Sequence, residues 1–226
     1  MVADQNTVLV IAAHPDDESL GMGGTIHNLT QTGFTVHALF LSSGVGSRDS
    51  DREDSFARLS AANRALKSLG CNFITTGDFP DNSFDTIGLL NLAKFIEAKL
   101  DEIQPNIVFT NFHSDLNIDH RLTSEATLIA ARPKPTSSVD ELYFYEVVSS
   151  TGWQFGAKQF IPTYFVDITH SFHKKEAALL EYATEMDSPP SARSYSSIKA
   201  LAKFRGNFMG LDYAEAFEVG FIRKRL

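Results

Sequence analysis

Residues Val8 to Glu18 read VLVIAAHPDDE, an apolar run that ends in a histidine, a proline and three acidic residues. An apolar segment of this length, rich in Val and Ile, predicts a strand buried on both faces, as in the centre of a parallel sheet. The polar residues then lie at the carboxyl end of the strand, where open α/β sheets bind their ligands. The junction that begins at His14 is therefore a candidate active site.

His14, Asp16 and Asp17 are candidates for a metal site at this junction. A divalent ion such as Zn²⁺ or Fe²⁺ would justify placing imidazole and carboxylate groups at a buried sheet edge. If a helix begins after Pro15, His14 and Asp17 project to one side and could bind one ion, while Asp16 stays free to accept a proton. The alternative is that the three acids cap the following helix, which leaves the histidine unexplained.

The sequence AHPDDE after a hydrophobic strand resembles the signature of the PIG-L/LmbE-type metal-dependent N-deacetylase family. In that family the histidine and the second aspartate bind the metal, and the first aspartate is the general base. A second element supplies the last ligand, and residues 117–120 (NIDH) resemble it. The resemblance thus implies one divalent ion, Zn²⁺ with Fe²⁺ as the alternative, held by His14, Asp17 and His120, with Asp16 as the base.

The same resemblance suggests roles for further residues near the second element. Asp119 would be the acid that orients a histidine or Asp16. Many family members carry a histidine at the position of Asn117, where it stabilises the tetrahedral state. His113, four residues upstream, is the candidate substitute for that histidine, and Asn117 itself is the alternative donor.

Three residues resemble family positions that contact the substrate. Arg58 lies in a helix pattern similar to the family's R-x-x-E-x-x-x-A-x-x-x-L-G helix, although Ala61 replaces the usual acid. Asp81 and Asn82 belong to an F-P-D-N segment that resembles a family segment near the sugar pocket. The alternatives are a solvated helix arginine for Arg58 and ordinary turn chemistry for the other two.

Strand and helix patterns alternate along the chain. After the first strand, the sequence predicts strands over 34–42, 72–76, 107–110, 141–148 and 163–166, and helices over 21–33, 51–69, 87–103, 123–131 and 170–182. Such alternation implies a doubly wound, Rossmann-like α/β fold with a mainly parallel sheet flanked by helices. We expect a single domain over residues 1–226, with the proline-containing stretch 132–138 as a break between elements.

The glycines at 21, 23 and 24 invite a dinucleotide-binding interpretation. The G-x-G-x-x-G pattern fails because its third position is Ile26, so a nicotinamide site is not expected. We expect instead a close approach of the backbone to the substrate or to a neighbouring helix. A loop over 43–47 should lie at the same sheet edge as the metal site, and the YAEAF segment over 213–217 resembles a family segment with a structural role.

Composition limits the class of protein further. A net charge of −8 argues against a nucleic-acid partner, because phosphate binding needs a basic surface. The single cysteine, Cys71, excludes a disulfide framework, suits a reducing cytoplasm and is expected to be a small buried hydrophobe. No apolar run is long enough for a membrane span, and no targeting segment is recognisable, so we expect a cytoplasmic location. A homo-oligomer is compatible with the sequence.

The resemblance implies hydrolysis of an N-acyl group, most often N-acetyl, from an amino sugar or sugar conjugate. The expected partner is therefore a small N-acylated sugar. Two alternatives remain open at this point: a thioglycoside-conjugate amidase with the same centre, and a sugar-binding α/β module without catalytic activity.

Overall fold

The computed structural model describes residues 6–44, 52–153, 156 and 158–224. The strands are β1 (Thr7–Ala12), β2 (Thr35–Phe40), β3 (Phe73–Thr76), β4 (Ile107–Asn111), β5 (Glu141–Tyr145), β6 (Tyr164–Asp167) and β7 (Ala214–Ile222). The helices are α1 (Asp17–Gln31), α2 (Arg52–Ser68), α3 (Phe84–Ile87), α4 (Leu89–Ile103), α5 (Ile118–Ala131), α6 (Phe172–Glu181) and α7 (Tyr195–Phe208). Short 3₁₀ turns cover Thr151–Trp153 and Ala183–Glu185.

The strands form one mixed sheet in the order β3-β2-β1-β4-β5-β7-β6. Strands β1 to β5 pair in parallel, whereas β7 is antiparallel to both β5 and β6. The mainly parallel α/β fold predicted from the sequence is confirmed. Strand order reverses between β1 and β4, and the crevice outside the carboxyl ends of two such strands is where α/β sheets bind ligands.

Strand β1 lies at the centre of the molecule and is buried on both faces, as its apolar run predicts. Val8, Val10 and Ala12 pack into one hydrophobic layer, and Leu9 and Ile11 pack into the layer on the other face. A strand in this position has no solvent-facing side, so its polar residues can occur only beyond its end. The fold thereby delivers His14 to the sheet edge.

Two helices begin earlier than the sequence patterns predict. Helix α1 begins at Asp17 and not at residue 21, because the amide of Leu20 already bonds to the Asp16 carbonyl at 2.9 Å. Helix α5 begins at Ile118 and not at residue 123, because the Asn117 side chain accepts a hydrogen bond from the Asp119 amide and caps the helix. Both shifts move acids and His120 into first turns.

Other boundaries differ by a few residues, and one end of the chain holds unpredicted elements. The predicted helix over 87–103 corresponds to α4, which begins at Leu89, because Gly88 separates it from the short helix α3 that ends at Ile87. Neither α7 nor β7 was predicted, and β7 contains most of the YAEAF segment. Residues 45–47 of the predicted loop and position 51 of the predicted helix lie outside the described residues.

The glycines of α1 lie against neighbouring elements, which confirms the close approach expected from the sequence. A Cβ added at Gly23 would lie 3.3 Å from a side-chain carbon of Lys175 in α6, and one at Gly24 would lie 2.7 Å from Ile168. Cys71 is buried, as expected for a small core residue. None of the described helices combines the length and apolar character that crossing a bilayer requires.

Candidate active site

A polar cavity of about 160 Å³ opens at the carboxyl ends of β1 and β4. The sequence-predicted site residues that line it are His14, Asp16, Asp17, Arg58, Asp81, Asn82, Asn117 and His120. Gly44, from the loop predicted to lie at this sheet edge, also lines the cavity. The wall further contains residues that sequence reasoning missed: Ser149, Ser150, Glu185 and Arg193. The fold therefore brings both predicted motifs, which lie far apart in the chain, to one small space.

His14, Asp17 and His120 are buried together in this cavity. One ligand atom from each of the three lies within 4.8 Å of the others. The Asp17 carboxylate lies between the two rings, with Oδ1 3.2 Å from Nε2 of His120 and Oδ2 3.7 Å from Nδ1 of His14. Two imidazoles and a carboxylate with room for further ligands are a donor set that Zn²⁺ and Fe²⁺ accept, so the residues present fit a divalent ion.

The outer nitrogen of each histidine lies near carboxylates. Nε2 of His14 is 3.0 Å from Oδ2 of Asp119 and 2.9 Å from Oδ1 of Asp81. Nδ1 of His120 is 3.3 Å from Oδ1 of Asp115. Carboxylates in such positions fix the orientation and tautomer of metal-binding histidines. Sequence analysis placed Asp119 in this kind of position but gave Asp115 no role of its own.

The charges of the cluster shift its pKa values strongly. Burial lowers the pKa of His14, but hydrogen bonds to Asp119 and Asp81 and the charge of Asp17 raise it to about 9. Burial also opposes the charge of His120, whose pKa is raised to about 10, chiefly by Asp17 and Asp115. Burial would raise the pKa of Asp17, yet the positive charges of both rings hold it low. A cation entering this site would have to displace protons from the histidines.

Asp16 is held in an unusual conformation at the N-terminus of α1. Its φ of 111° places it in the left-handed region, which is uncommon for a residue with a Cβ. Its Oδ2 accepts hydrogen bonds from Nη2 of Arg58 at 3.1 Å and from Nη2 of Arg193 at 2.5 Å. Burial raises the pKa of Asp16, although the charges of the two arginines oppose the shift.

The guanidinium group of Arg58 is held by contacts with several other residues. From α2 it donates to the Pro15 carbonyl at 3.1 and 3.3 Å and to the Gly44 carbonyl at 2.9 Å. It also pairs with Glu185 at 3.1 Å and with Asp16. Each of its three nitrogens is thus already used in fixing the loop around Asp16.

Asp81 and Asn82 connect the FPDN loop to the same centre. Besides the contact of Asp81 with His14, the Asn82 amide donates to Oδ2 of Asp119 at 2.6 Å, and the Phe84 amide donates to Oδ1 at 3.1 Å. Asp119 therefore lies at the junction of His14 and this loop. It is fully buried behind the cavity wall.

His113 does not line the cavity, in contrast to the role suggested by the sequence. Its ring packs against Phe112 and Phe144, and its Nε2 lies 3.3 Å from Nζ of Lys158 and 3.6 Å from Glu218. Burial and the charge of Lys158 lower the pKa of His113, which disfavours the positively charged form of its ring. Asn117 does line the cavity, because it caps α5 at the point where that helix enters the site.

Arg193 is the cavity residue that sequence reasoning missed most clearly. It belongs to a loop rich in serine and proline between α6 and α7, a type of segment that often carries binding residues. Nothing in the sequence relates it to Asp16, which lies 177 residues earlier in the chain. Only the folded structure brings the two side chains together.

Comparison with known proteins confirms the family that the motifs suggested. Residues 9–131 match the family model PIG-L, described as GlcNAc-PI de-N-acetylase. A diacetylchitobiose deacetylase of Thermococcus kodakarensis is 28% identical over 225 residues, which cover 94% of this chain and 82% of that protein. A 1D-myo-inositol 2-acetamido-2-deoxy-α-D-glucopyranoside deacetylase of Rhodococcus erythropolis is 25% identical, covering 87% of this chain and 86% of that one.

The fold has a close counterpart among solved structures. The conserved protein TT1542 from Thermus thermophilus superposes with a TM-score of 0.77 and 26% identity, covering 97% of this chain and 96% of that chain. The family match spans more than half of this chain and includes His14, Asp17 and His120. This protein therefore belongs to the PIG-L family of deacetylases.

Proposed function

We propose that this protein is a metal-dependent hydrolase that removes an N-acyl group, normally acetyl, from an amino sugar or a sugar conjugate. The observation that carries the proposal is the placement of the Asp16 carboxylate beside the buried set of His14, Asp17 and His120, all on one polar cavity. The two relatives named above are, by their names, deacetylases of acetylated sugars, which supports the same substrate class here.

His14, Asp17 and His120 would hold the divalent ion. A group formed by His14, Asp81 and Asp119 is equally compact. It has only one imidazole, however, and its two carboxylates face the nitrogen of His14 that points away from Asp17. When bound, the ion supplies Lewis-acid chemistry, because it polarises the acyl carbonyl and lowers the pKa of water.

Asp16 would act as the general base. Both arginines donate to its Oδ2 atom, so Oδ1 would be the atom that takes the proton of the attacking water. The same carboxyl group can then return that proton to the departing amine nitrogen, so that acyl C–N cleavage yields a free amine and a carboxylate. Burial raises the pKa of Asp16, which favours the step in which its carboxylate accepts a proton.

The remaining polar groups of the cavity would recognise the sugar and the developing charge. Asp81, Asn82, Ser149 and Ser150 offer hydrogen-bond partners for hydroxyl groups. Asn117 would donate its amide to the oxyanion in place of His113. We assign Arg58 to holding Asp16 and no longer to direct sugar contact, because its nitrogens already donate to the protein.

The test of this function compares the wild type with Asp16→Asn. The asparagine keeps size and polarity but cannot accept the proton, so kcat should fall by at least ~10²-fold with bound metal retained. We would measure amine release from a panel of N-acetyl sugars, free and nucleotide-linked, together with metal content by elemental analysis. Asp78→Asn is the matched control, because Asp78 is exposed and does not line the cavity.

Three results would count against the proposal. Near-normal turnover by Asp16→Asn would transfer the role of base to another group, with Glu18 as the first candidate. Full activity of the metal-stripped wild type would remove the metal from the reaction. A metal-loaded wild type that binds acetylated sugars but never releases an amine would indicate a sugar-binding module.

A further inference from the structure

Arg193 joins three separate parts of the molecule at the proposed base. Its Nη2 donates to Oδ2 of Asp16 at 2.5 Å, its Nη1 to the Ser149 hydroxyl at 3.2 Å, and its Nε to the Glu185 carbonyl at 3.0 Å. Each nitrogen of the guanidinium group therefore has a protein acceptor. The negative charges of Asp16, Asp17 and Glu185 in the cavity wall favour the charged guanidinium group, as burial of a charge requires.

Hydrogen bonds within the loop hold the backbone that carries Arg193. The Arg193 amide donates to the Ser191 hydroxyl at 3.2 Å, and that hydroxyl donates to Asp187 at 2.7 Å. The next residue, Ser194, caps α7 through the Ser197 amide. The guanidinium group is thus presented from a fixed backbone at the start of a helix, and not from a loose surface loop.

Asp16, which accepts a hydrogen bond from Arg193, has a backbone conformation that its surroundings must stabilise. Asp16 adopts a positive φ in the left-handed region, and a residue with a Cβ persists there only when its surroundings impose it. Arg58 approaches the carboxylate from α2, and Arg193 approaches it from the loop between α6 and α7. Two rigid donors on one oxygen leave the carboxylate little freedom to rotate.

We propose that Arg193 is a positioning residue that fixes the Asp16 carboxylate in the orientation in which Oδ1 can take the proton of the attacking water. This inference rests on the proposed function, which makes Asp16 the base. Arg193 lies outside residues 9–131, the part that matches the family model. The catalytic geometry of this chain is therefore completed by a segment beyond that part.

A role in binding a substrate anion fits the geometry less well. An anion would have to compete with Asp16 for Nη2 and with Ser149 for Nη1. It would also enter a cavity wall that already contains Asp17, Asp81 and Glu185. The charge balance of the cavity thus favours the positioning role.

The test uses Arg193→Ala and Arg193→Lys in the metal-loaded protein. We expect Arg193→Ala to lower kcat on the order of 10- to 100-fold, with KM and metal content close to wild type, because orientation of the base is lost. Arg193→Lys should recover only part of kcat, since an ammonium group cannot serve three acceptors as the planar fork does. Added guanidinium ion should restore part of the activity of Arg193→Ala.

Arg205→Ala is the matched control. Arg205 is also partly buried, belongs to α7 and forms a bidentate pair with Glu146 at 2.7 and 2.8 Å, yet it does not line the cavity. Its loss should lower the melting temperature and leave kcat near wild type. The comparison separates a lost ion pair from a lost position of the base.

A second readout needs no substrate. Millimolar guanidinium should raise the melting temperature of Arg193→Ala but not of the double variant Asp16→Asn/Arg193→Ala, because the ion refills a gap beside the carboxylate. If the wild type releases no amine from any sugar, the proposed function fails, and the melting temperatures still test the contact between Arg193 and Asp16.

Unchanged kcat in Arg193→Ala, or a raised KM with unchanged kcat, would overturn the positioning role. If the alanine variant does not fold, wild-type kcat in Arg193→Lys would overturn it equally.

Discussion

At the scale of single residues, Asn117 carries the prediction that departs most from expectation. Replacing it with aspartate keeps a side chain that caps α5 but removes the side-chain amide, which donates to Oδ1 of Asn82 at 3.4 Å and is the oxyanion donor that we propose. We expect Asn117→Asp to lose on the order of 10²-fold in kcat, as enzymes do when one oxyanion donor is removed. His113→Gln should keep kcat and metal content near wild type.

Steady-state kinetics, metal analysis and thermal melting of both variants check this prediction. Asn117→Ala is the useful third variant, because it removes the donor and also the cap, which is worth ~1 kcal/mol of stability. A large loss of kcat in His113→Gln, together with normal turnover in Asn117→Asp, would return the donor role to His113.

The residues of the site fall into two groups: some are marked by a local sequence motif, and others depend on partners that are distant in the sequence. The three proposed metal ligands belong to two short motifs, whose local spacing marks them in the sequence. The roles of His113 and Arg193 depend on contacts with residues far away in the chain, such as Lys158 and Asp16. Local sequence patterns carry no information about such contacts, so the sequence predicted the group of His14, Asp17 and His120 that the fold brings together, but not the arginines around Asp16.

At the scale of secondary structure, Gly24 of α1 gives a prediction in which two effects on the free energy of unfolding oppose each other. Helix propensity alone favours Gly24→Ala by ~1 kcal/mol. A Cβ at this position, however, would lie 2.7 and 2.9 Å from carbons of the buried Ile168. Overpacking of this kind costs ~1–3 kcal/mol, so after the gain from helix propensity we expect a net loss of up to about 2 kcal/mol in the free energy of unfolding.

Urea unfolding of Gly24→Ala beside Gly152→Ala measures this balance. Gly152 is exposed, and a Cβ there would meet no atom within 4 Å, so its substitution should leave stability almost unchanged. A stabilised Gly24→Ala would mean that α1 can move away from its neighbour at little cost.

The two elements that the sequence did not reveal share a physical cause. The inner face of α7 presents Ile198, Ala202 and Gly206, whereas the large Phe204 and Phe208 are exposed. Its apolar periodicity therefore points to the wrong face. In β7 the buried positions include Glu215 and Glu218, which interrupt the alternation by which strands are recognised. The central strands lack such exceptions and were predicted correctly.

At the scale of the whole molecule, a buried ion pair ties the C-terminal strand to the N-terminal helix. Lys175 of α6 lies 2.6 Å from Glu215 of β7 and also donates to the Leu20 carbonyl. The Glu215 carboxylate in turn accepts bonds from the amides of Gly24 and Thr25 in α1. These partners come from three elements that are far apart in the sequence.

Lys175→Met should therefore destabilise the fold by ~3–5 kcal/mol, because it leaves a buried carboxylate without its cation. The double variant Lys175→Met/Glu215→Gln should recover part of that loss, since the remaining side chain is neutral. Denaturant unfolding of the two variants and the wild type gives the comparison. Equal stability of Lys175→Met and the wild type would show that the helix amides alone are enough for Glu215.

The position of β7 has a consequence for how the chain is made. Strand β6 forms the edge of the sheet and pairs with β7, which inserts between β5 and β6. Synthesis proceeds from the N-terminus, so β6, which ends at Asp167, leaves the ribosome well before the strand that binds it, which begins at Ala214. Until then β5 presents an open edge, the kind of surface on which nascent chains associate wrongly. A protein released before Ala214 would carry both motifs that contain the proposed metal ligands and yet lack the strand that joins β6 to the sheet.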